Sequence, residues 1–386
     1  MKRVRKKPLL SAANSNINIP EDVLLSNICI RLPAKQLAQM RSLSKTWNAL
    51  LSHPSFIQSH LDRSINTNED EILVFFYNVD FSHREPCTAH PSGSPSEDLT
   101  NLIKPLPGYN SIIGSVNGLI CYLKYYSYYH IHSLRIWNPS LSATTALPPY
   151  IDIGVYDPVP SFRFGFDPKT SDYKVVKIAT RFDSLNFMTE EFLPVEVYSM
   201  RKDSWEFITE RFPSHIKRIQ DLDKVHVDGY DGHVHWLCYV DTKHMLHTII
   251  AFDLNLEIFS EILLPDCIRS NCGRRKALGL LSRNLCVISC NYYDGYDCEV
   301  WVMDKYKVAS SWIKLHVLSG YSGDIIPIGF TLNGKFLFGH DRTLALYDPN
   351  AAASKLFKAM KPVHSSTRVA QYIDSLVWPV NVKHKL

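Results

Sequence analysis

The amino-acid sequence predicts a small all-α module followed by an all-β propeller, with six as the expected number of blades. Three observations carry that reading. Ile19–Phe56 holds short amphipathic helical patterns, broken at Leu32–Pro33. Behind it, about three hundred residues show almost no helical periodicity and an aromatic content, 20 Tyr and 18 Phe in 386 residues, that suits strands. Within that body one strand–turn–strand phrase recurs five times.

In the module, Pro20 suits a first helical turn, with Glu21 and Asp22 beside it at the positive end of the dipole. Asn18 and Glu21 have the spacing of a capping box. Leu24, Ile28 and Leu32 then share one face, widened by Val23 and Leu25. Pro33 pushes Leu32 out of the helical region and ends that helix. A second helix places Leu37, Met40 and Arg41 together, and Ser44 caps a third that carries Trp47, Leu50 and Leu51. A last turn follows Pro54, with Phe56, Ile57, His60 and Leu61. Helices this short bury too little surface to stand alone, so a partner surface is implied.

The β body opens with the apolar strand 71–77, after the polar joint 66–70, and a loop is expected over 81–98. The recurring phrases are 134–148, 195–208, 249–265, 298–315 and 344–357, anchored by Trp137, Tyr198, Phe252, Trp301 and Tyr347. A hairpin precedes each of them, at 114–123, 162–178, 227–240, 278–290 and 328–339. Two hairpins make four strands, and four strands every ~40–50 residues is the period of a propeller blade. Strands 71–77 and 99–106 with 370–377 are left to form a sixth blade that closes the ring and removes exposed edges. A large twisted β-sandwich is the competing architecture.

The formal charge of +4 is local. Lys2, Arg3, Arg5, Lys6 and Lys7 lie in a disordered basic tail, residues 1–18, and the rest holds 37 basic against 38 acidic residues. The body therefore has no basic excess of the kind nucleic-acid binding requires. The tail itself fits a nuclear-localisation patch or a solvated terminus. No apolar run of ~18 residues is present, so no membrane-spanning helix is expected. Nine irregularly spaced cysteines, several in apolar strands such as Cys121, Cys238 and Cys286, read as free buried thiols of a reducing compartment, cytoplasmic and/or nuclear.

The stretches Ile19-Pro20-Glu21, Leu32-Pro33-Ala34-Lys35-Gln36-Leu37, Ser44-Lys45-Thr46-Trp47 and Pro54-Ser55-Phe56 resemble the F-box, placed at residues 19–63. The resemblance implies docking on a Skp-type adaptor and, through it, on a cullin and a RING protein. Pro20, Leu24, Leu25, Ile28, Leu32, Pro33, Leu37 and Trp47 would carry that contact. Gln36 and Gln39 stand where the plant pattern tends to have Ser and Arg. Residues 71–380 are similar to the plant F-box-associated, kelch-like domain. The words that match include Ser115-Val-Asn-Gly118, Ile136-Trp-Asn-Pro139, Phe164-Gly-Phe-Asp-Pro168, Asp203-Ser-Trp205 and Tyr372-Ile-Asp-Ser-Leu376. The texture further resembles the pollen S-locus F-box group, which implies an S-RNase as the target protein in self-incompatibility.

Chemistry is expected to be absent. His233 and His235 point to one face of a strand, but no third ligand completes a metal site nearby. Cys286, Cys290 and Cys298 lack the Cys-x-x-Cys pair of a zinc knuckle. No nucleophile elbow, phosphate loop or His-Glu-x-x-His is present, and no cofactor is implied. A propeller enzyme acting on sugars, with the helices as an incidental cap, is the alternative. The better candidates are tyrosine-rich loops for protein recognition, Tyr125, Tyr126, Tyr128 and Tyr129 in the first blade and Tyr292 and Tyr293 in a later one. Strand-end tyrosines also pack between blades.

Overall fold

The computed structural model describes residues 24–67, 71–76, 87–95, 99, 103, 106, 110–127, 130–150, 160–183, 186–192, 194–220, 231–270, 273–291, 297–319, 321, 325–357, 362–363 and 367–379. Pro20, the Asn18–Glu21 cap and the basic tail lie outside them. The module begins with a π-helical turn, Leu24–Ile28, and a 3-10 turn, Cys29–Arg31. Leu32 is extended, at φ −82° and ψ 146°, as the following proline demands. Helices follow at Ala34–Arg41, Lys45–Leu51 and Pro54–Thr67, the second capped where Ser44 Oγ accepts the Trp47 N–H at 3.1 Å. The expected last turn after Pro54 is thus a 14-residue helix, and it runs into the stretch read as a joint. Two of its four buried positions, His60 and Ser64, are polar, so the apolar stripe fades from the sequence while the buried face continues.

Five four-stranded antiparallel blades follow in chain order. Blade 1 is Asn110–Val116, Leu119–Ser127, His130–Asn138 and Ala143–Ala146; blade 2 is Ser161–Asp167, Asp172–Ile178, Glu196–Ser199 and Ser204–Phe207. Blade 3 comprises Arg218–Ile219, His233–Asp241, Leu246–Asp253 and Ile258–Ile262, and blade 4 comprises Arg274–Leu281, Asn284–Asn291, Cys298–Met303 and Trp312–Leu318. Blade 5 is Ile325–Phe330, Phe336–His340, Thr343–Asp348 and Ala353–Phe357. The sixth is built from both ends of the chain, with Ile72–Phe76 between Cys87–Pro91 and Arg368–Tyr372.

The six-bladed ring is closed by packing as well as pairing. A separate apolar cluster sits at each junction between neighbouring blades, from Ile136 against Phe164 and Val175 at blades 1 and 2 to Val74 and Phe76 against Ile120 and Trp137 at blades 6 and 1. Strand alternation makes this possible: along one strand Val234, Trp236 and Cys238 face blade 2 while Leu237 faces blade 4.

Four expectations are corrected. The third strand of the sixth blade is Cys87–Pro91, inside the segment read as a loop, and not 99–106. Of the hairpin read at 227–240, residues 227–230 lie outside the described residues, and the strand His233–Asp241 takes its first-strand partner from further upstream, at Arg218–Ile219. The C-terminal strand stops at Tyr372, and the residues after it turn onto the helical module. Cys290 and Cys298, facing each other in register across a hairpin, form a disulfide where free thiols were expected; Cys121, Cys238 and Cys286 are buried and outside any disulfide. An unforeseen hairpin, Thr180–Asp183 with Asn186–Phe192, is also inserted between the second and third strands of blade 2.

Candidate functional site

The module's core is small. Cys29, Ala34, Leu37, Leu51 and Phe56 are buried together with Leu376 from the far end of the chain. Leu24, Leu25, Leu32, Met40 and Trp47 surround them half-buried, and Leu141 of blade 1 completes the floor. Of the positions read from the sequence, Ile28 is 46% exposed and Pro33 is exposed, while Leu24, Leu25, Leu32 and Trp47 each keep part of their surface open. Leu37 is fully enclosed, so it holds the helices together and presents no surface. Leu43, 72% exposed at the end of the second helix, was missed because a single leucine before a serine cap shows no periodicity.

What fixes this module is the segment after the closing strand. The Ala34 N–H, an orphan donor at the start of its helix, donates to Asp374 Oδ2 at 2.6 Å, and the Ser140 hydroxyl donates to Asp374 Oδ1. Asp374 therefore caps a helix 340 residues away in sequence. Asn138, wholly buried, anchors the same segment. Its amide donates to the Ser375 and Val377 carbonyls at 2.8 Å each, and its oxygen accepts from the Tyr372 hydroxyl at 3.0 Å and the Leu141 N–H at 3.2 Å. Gly118, at φ +76°, makes the close approach possible. A Cβ there would lie 2.1 Å from Ser375 Cβ.

The ring's two faces are thereby assigned. The turns between first and second strands, Asn117-Gly118, Ser282-Arg283 and Thr331-Leu332, meet Ile65 and Asn66 of the last helix around a 450 Å³ cavity. Because the strands are antiparallel, the connections between second and third strands open on the opposite face. Tyr125, next to one such connection, is half-buried against the core of blades 1 and 2, hydrogen-bonded to Ser111, and burial raises its hydroxyl above the ordinary range. The side chain of Tyr126 and the residues Tyr128, Tyr129, Tyr292 and Tyr293 lie outside what is described. The strand ends that lead to them, Ser127 with His130 and Asn291 with Cys298, are on this far face, as is the hairpin inserted into blade 2.

The histidine pair does not assemble a site. The His235 Nε2 and Tyr306 hydroxyl oxygen are 2.8 Å apart, and burial drives the His235 imidazole down to about 3, keeping it neutral. His233 lies 3.5 Å from Asp253. No group of three or more His, Cys, Asp or Glu that could hold a metal ion occurs among the described residues. No described helix is long and apolar enough to cross a membrane.

A helical module docked by one segment to one face of a six-bladed antiparallel ring is the architecture of an F-box protein with an associated propeller. Residues 17–59 match the F-box domain family and residues 73–377 match the family described as F-box associated beta propeller domain. The chain belongs to this F-box family with an associated propeller domain. It is 30% identical over 323 residues to F-box protein CPR1 of Arabidopsis thaliana, covering 77% of this chain and 72% of that one. It is 26% identical over 378 residues to the F-box/kelch-repeat protein At3g23880 of the same plant, covering 94% and 96%. Among solved structures, a protein from Lactobacillus plantarum aligns at 9% identity and a TM-score of 0.41, covering 78% of this chain and 99% of that one. An exo-beta-1,3-galactanase from Phanerochaete chrysosporium aligns at 9% and 0.36, covering 68% and 64%.

Proposed function

We propose that the protein is the substrate-recognition subunit of a Skp–cullin–F-box ubiquitin ligase, acting in the cytoplasm and/or nucleus. The observation that carries the reading is the division of the ring into two faces, one occupied by the F-box helices and the other left to long inter-strand connections. Ile28, Leu32, Pro33 and Trp47, with Leu24 and Leu25 around them, supply the apolar surface for the Skp-type adaptor, and Leu43 extends it. Leu37 supports that surface from beneath. The chain itself forms and breaks no bond. It holds a target protein near a charged conjugating enzyme, so the target's lysines act at a raised effective concentration.

The test is capture of a recombinant Skp-type adaptor by the full chain. Leu32→Ala with Pro33→Ala is expected to abolish capture while the far-ultraviolet circular dichroism of the propeller is unchanged. Capture at wild-type strength by that variant would refute the assignment. The full chain is the right reagent, because Leu376 and Asp374 complete the module and a fragment of residues 19–63 lacks both. A pistil S-RNase is the narrower target reading, drawn from the resemblance to the pollen S-locus group. Direct binding of an S-RNase, lost on deleting the far-face hairpin 180–192, is its expected signature, and absence of binding rejects it.

A further inference from the structure

We propose that the cavity between the F-box helices and the sixth blade is a binding site for a small organic anion with an apolar body. The cavity holds 520 Å³, inside the roughly 300–1,000 Å³ range of small-molecule sites. Its two walls differ in chemistry. The sixth blade and the segment after it contribute Ile72, Leu99 and Ile103. The F-box side contributes Arg31, Lys35 and Arg63, and Arg31 and Arg63 have no ion-pair or hydrogen-bond partner for their guanidinium groups among the described residues.

Neither acid at the cavity forms an ion pair with Arg31 or Arg63 among the described residues. Glu71 accepts the Leu332 N–H at 3.1 Å on both oxygens, and Asp374 is taken up by the Ala34 N–H and the Ser140 hydroxyl. His60 packs beneath the cavity wall. It is 1% exposed and lines the cavity; its Nε2 lies 3.0 Å from the Leu32 carbonyl and donates to it, while Nδ1 has no partner. With Nε2 donating, Nδ1 is an acceptor and takes no bond from an anion oxygen, so the anion contact falls to the arginines. A carboxylate, sulfonate or phosphate oxygen near Arg31 and Arg63, with its apolar body on Ile72, Leu99 and Ile103, satisfies both walls at once. Such a ligand would span the joint between the module and the ring. This goes beyond the receptor role and does not depend on it.

The experiment is calorimetric titration of the purified full chain with naphthalene-2-sulfonate and, separately, with the neutral naphthalene-2-sulfonamide. The sulfonate is expected to bind at least about tenfold more tightly than the sulfonamide, the difference a charge-assisted contact supplies. Arg31→Gln with Arg63→Gln should remove that preference, and Leu99→Trp, which fills the apolar half of the cavity, should abolish binding of both. The arginines are at least partly open to solvent, so their replacement leaves the fold intact, which an unchanged thermal midpoint verifies. Equal binding of the two probes, binding indifferent to all three substitutions, or no binding of the sulfonate each overturns the proposal.

Discussion

Asp374→Ala is the most informative single change, because one side chain bonds the module helix Ala34–Arg41 and the blade 1 turn at once. The Ala34 N–H loses its acceptor and the Ser140 hydroxyl loses its partner. Loss of a helix cap costs about 0.5–2 kcal/mol and loss of a neutral-to-charged hydrogen bond about 1.5–3 kcal/mol, less where water replaces it at this half-buried site. A local destabilisation of about 2 kcal/mol is the expected sum, and it corresponds to about 30-fold faster amide exchange through local opening. Hydrogen–deuterium exchange should show that acceleration in residues 34–41, where the cap acts, and leave the central strand Asn284–Asn291 of blade 4 at its wild-type rate. Asp374→Asn, which keeps an acceptor without the charge, should recover part of the protection. Unchanged exchange at 34–41, or equal acceleration in both segments, would refute the view that Asp374 is the local fastener of the module.

Gly118→Ala should destabilise by about 2–3 kcal/mol, through a clash with Ser375 and a positive φ, and Ser375→Gly should restore part of that in a urea midpoint measurement. Asn138→Ala leaves two carbonyls, a hydroxyl and an N–H without their partner, and should lower stability by about 3–5 kcal/mol; limited proteolysis should then cut first in the C-terminal segment. Burial pushes the Glu71 carboxyl from 4.5 up to about 7. The native state therefore holds that proton more tightly than the unfolded chain, so this contribution is full below pH 4.5 and is lost as pH rises through about 7, a fall of about 3 kcal/mol. In urea melts at pH 5 and pH 8, Glu71→Gln should flatten that part of the profile; identical profiles would show that Glu71 is not its source.

The blades were legible because each is a local object. Strand, turn and strand lie within a few residues, and an Asn- or Asp-bearing turn followed by a strand ending in an aromatic or Leu marks each outer pair. The same locality explains the failures. Cys87–Pro91 carries His, Thr and Pro in five residues, and becomes a strand through pairing with Ile72–Phe76. His60 and Ser64 hide the length of the last module helix behind polar names. Cys290 and Cys298 look unrelated by spacing and meet only because a hairpin puts them in register. In the F-box the proline break and the leucine positions were readable, whereas the enclosure of Leu37 and the support from Leu376 depend on a contact across more than three hundred residues. The Asn138 of the blade 1 turn was visible as a word, and its work as a four-bond anchor was not.

Closure of the sixth blade by residues 368–372, followed at once by the Asp374 fastening, gives the chain an order of assembly during synthesis. The F-box helices leave the ribosome more than three hundred residues before Leu376 of their floor and their Asp374 cap. A nascent chain, or a product of a premature stop before residue 374, thus carries F-box helices that lack their cap and part of their floor. Only a polypeptide translated through residue 376 holds the F-box helices in one fixed geometry on the ring.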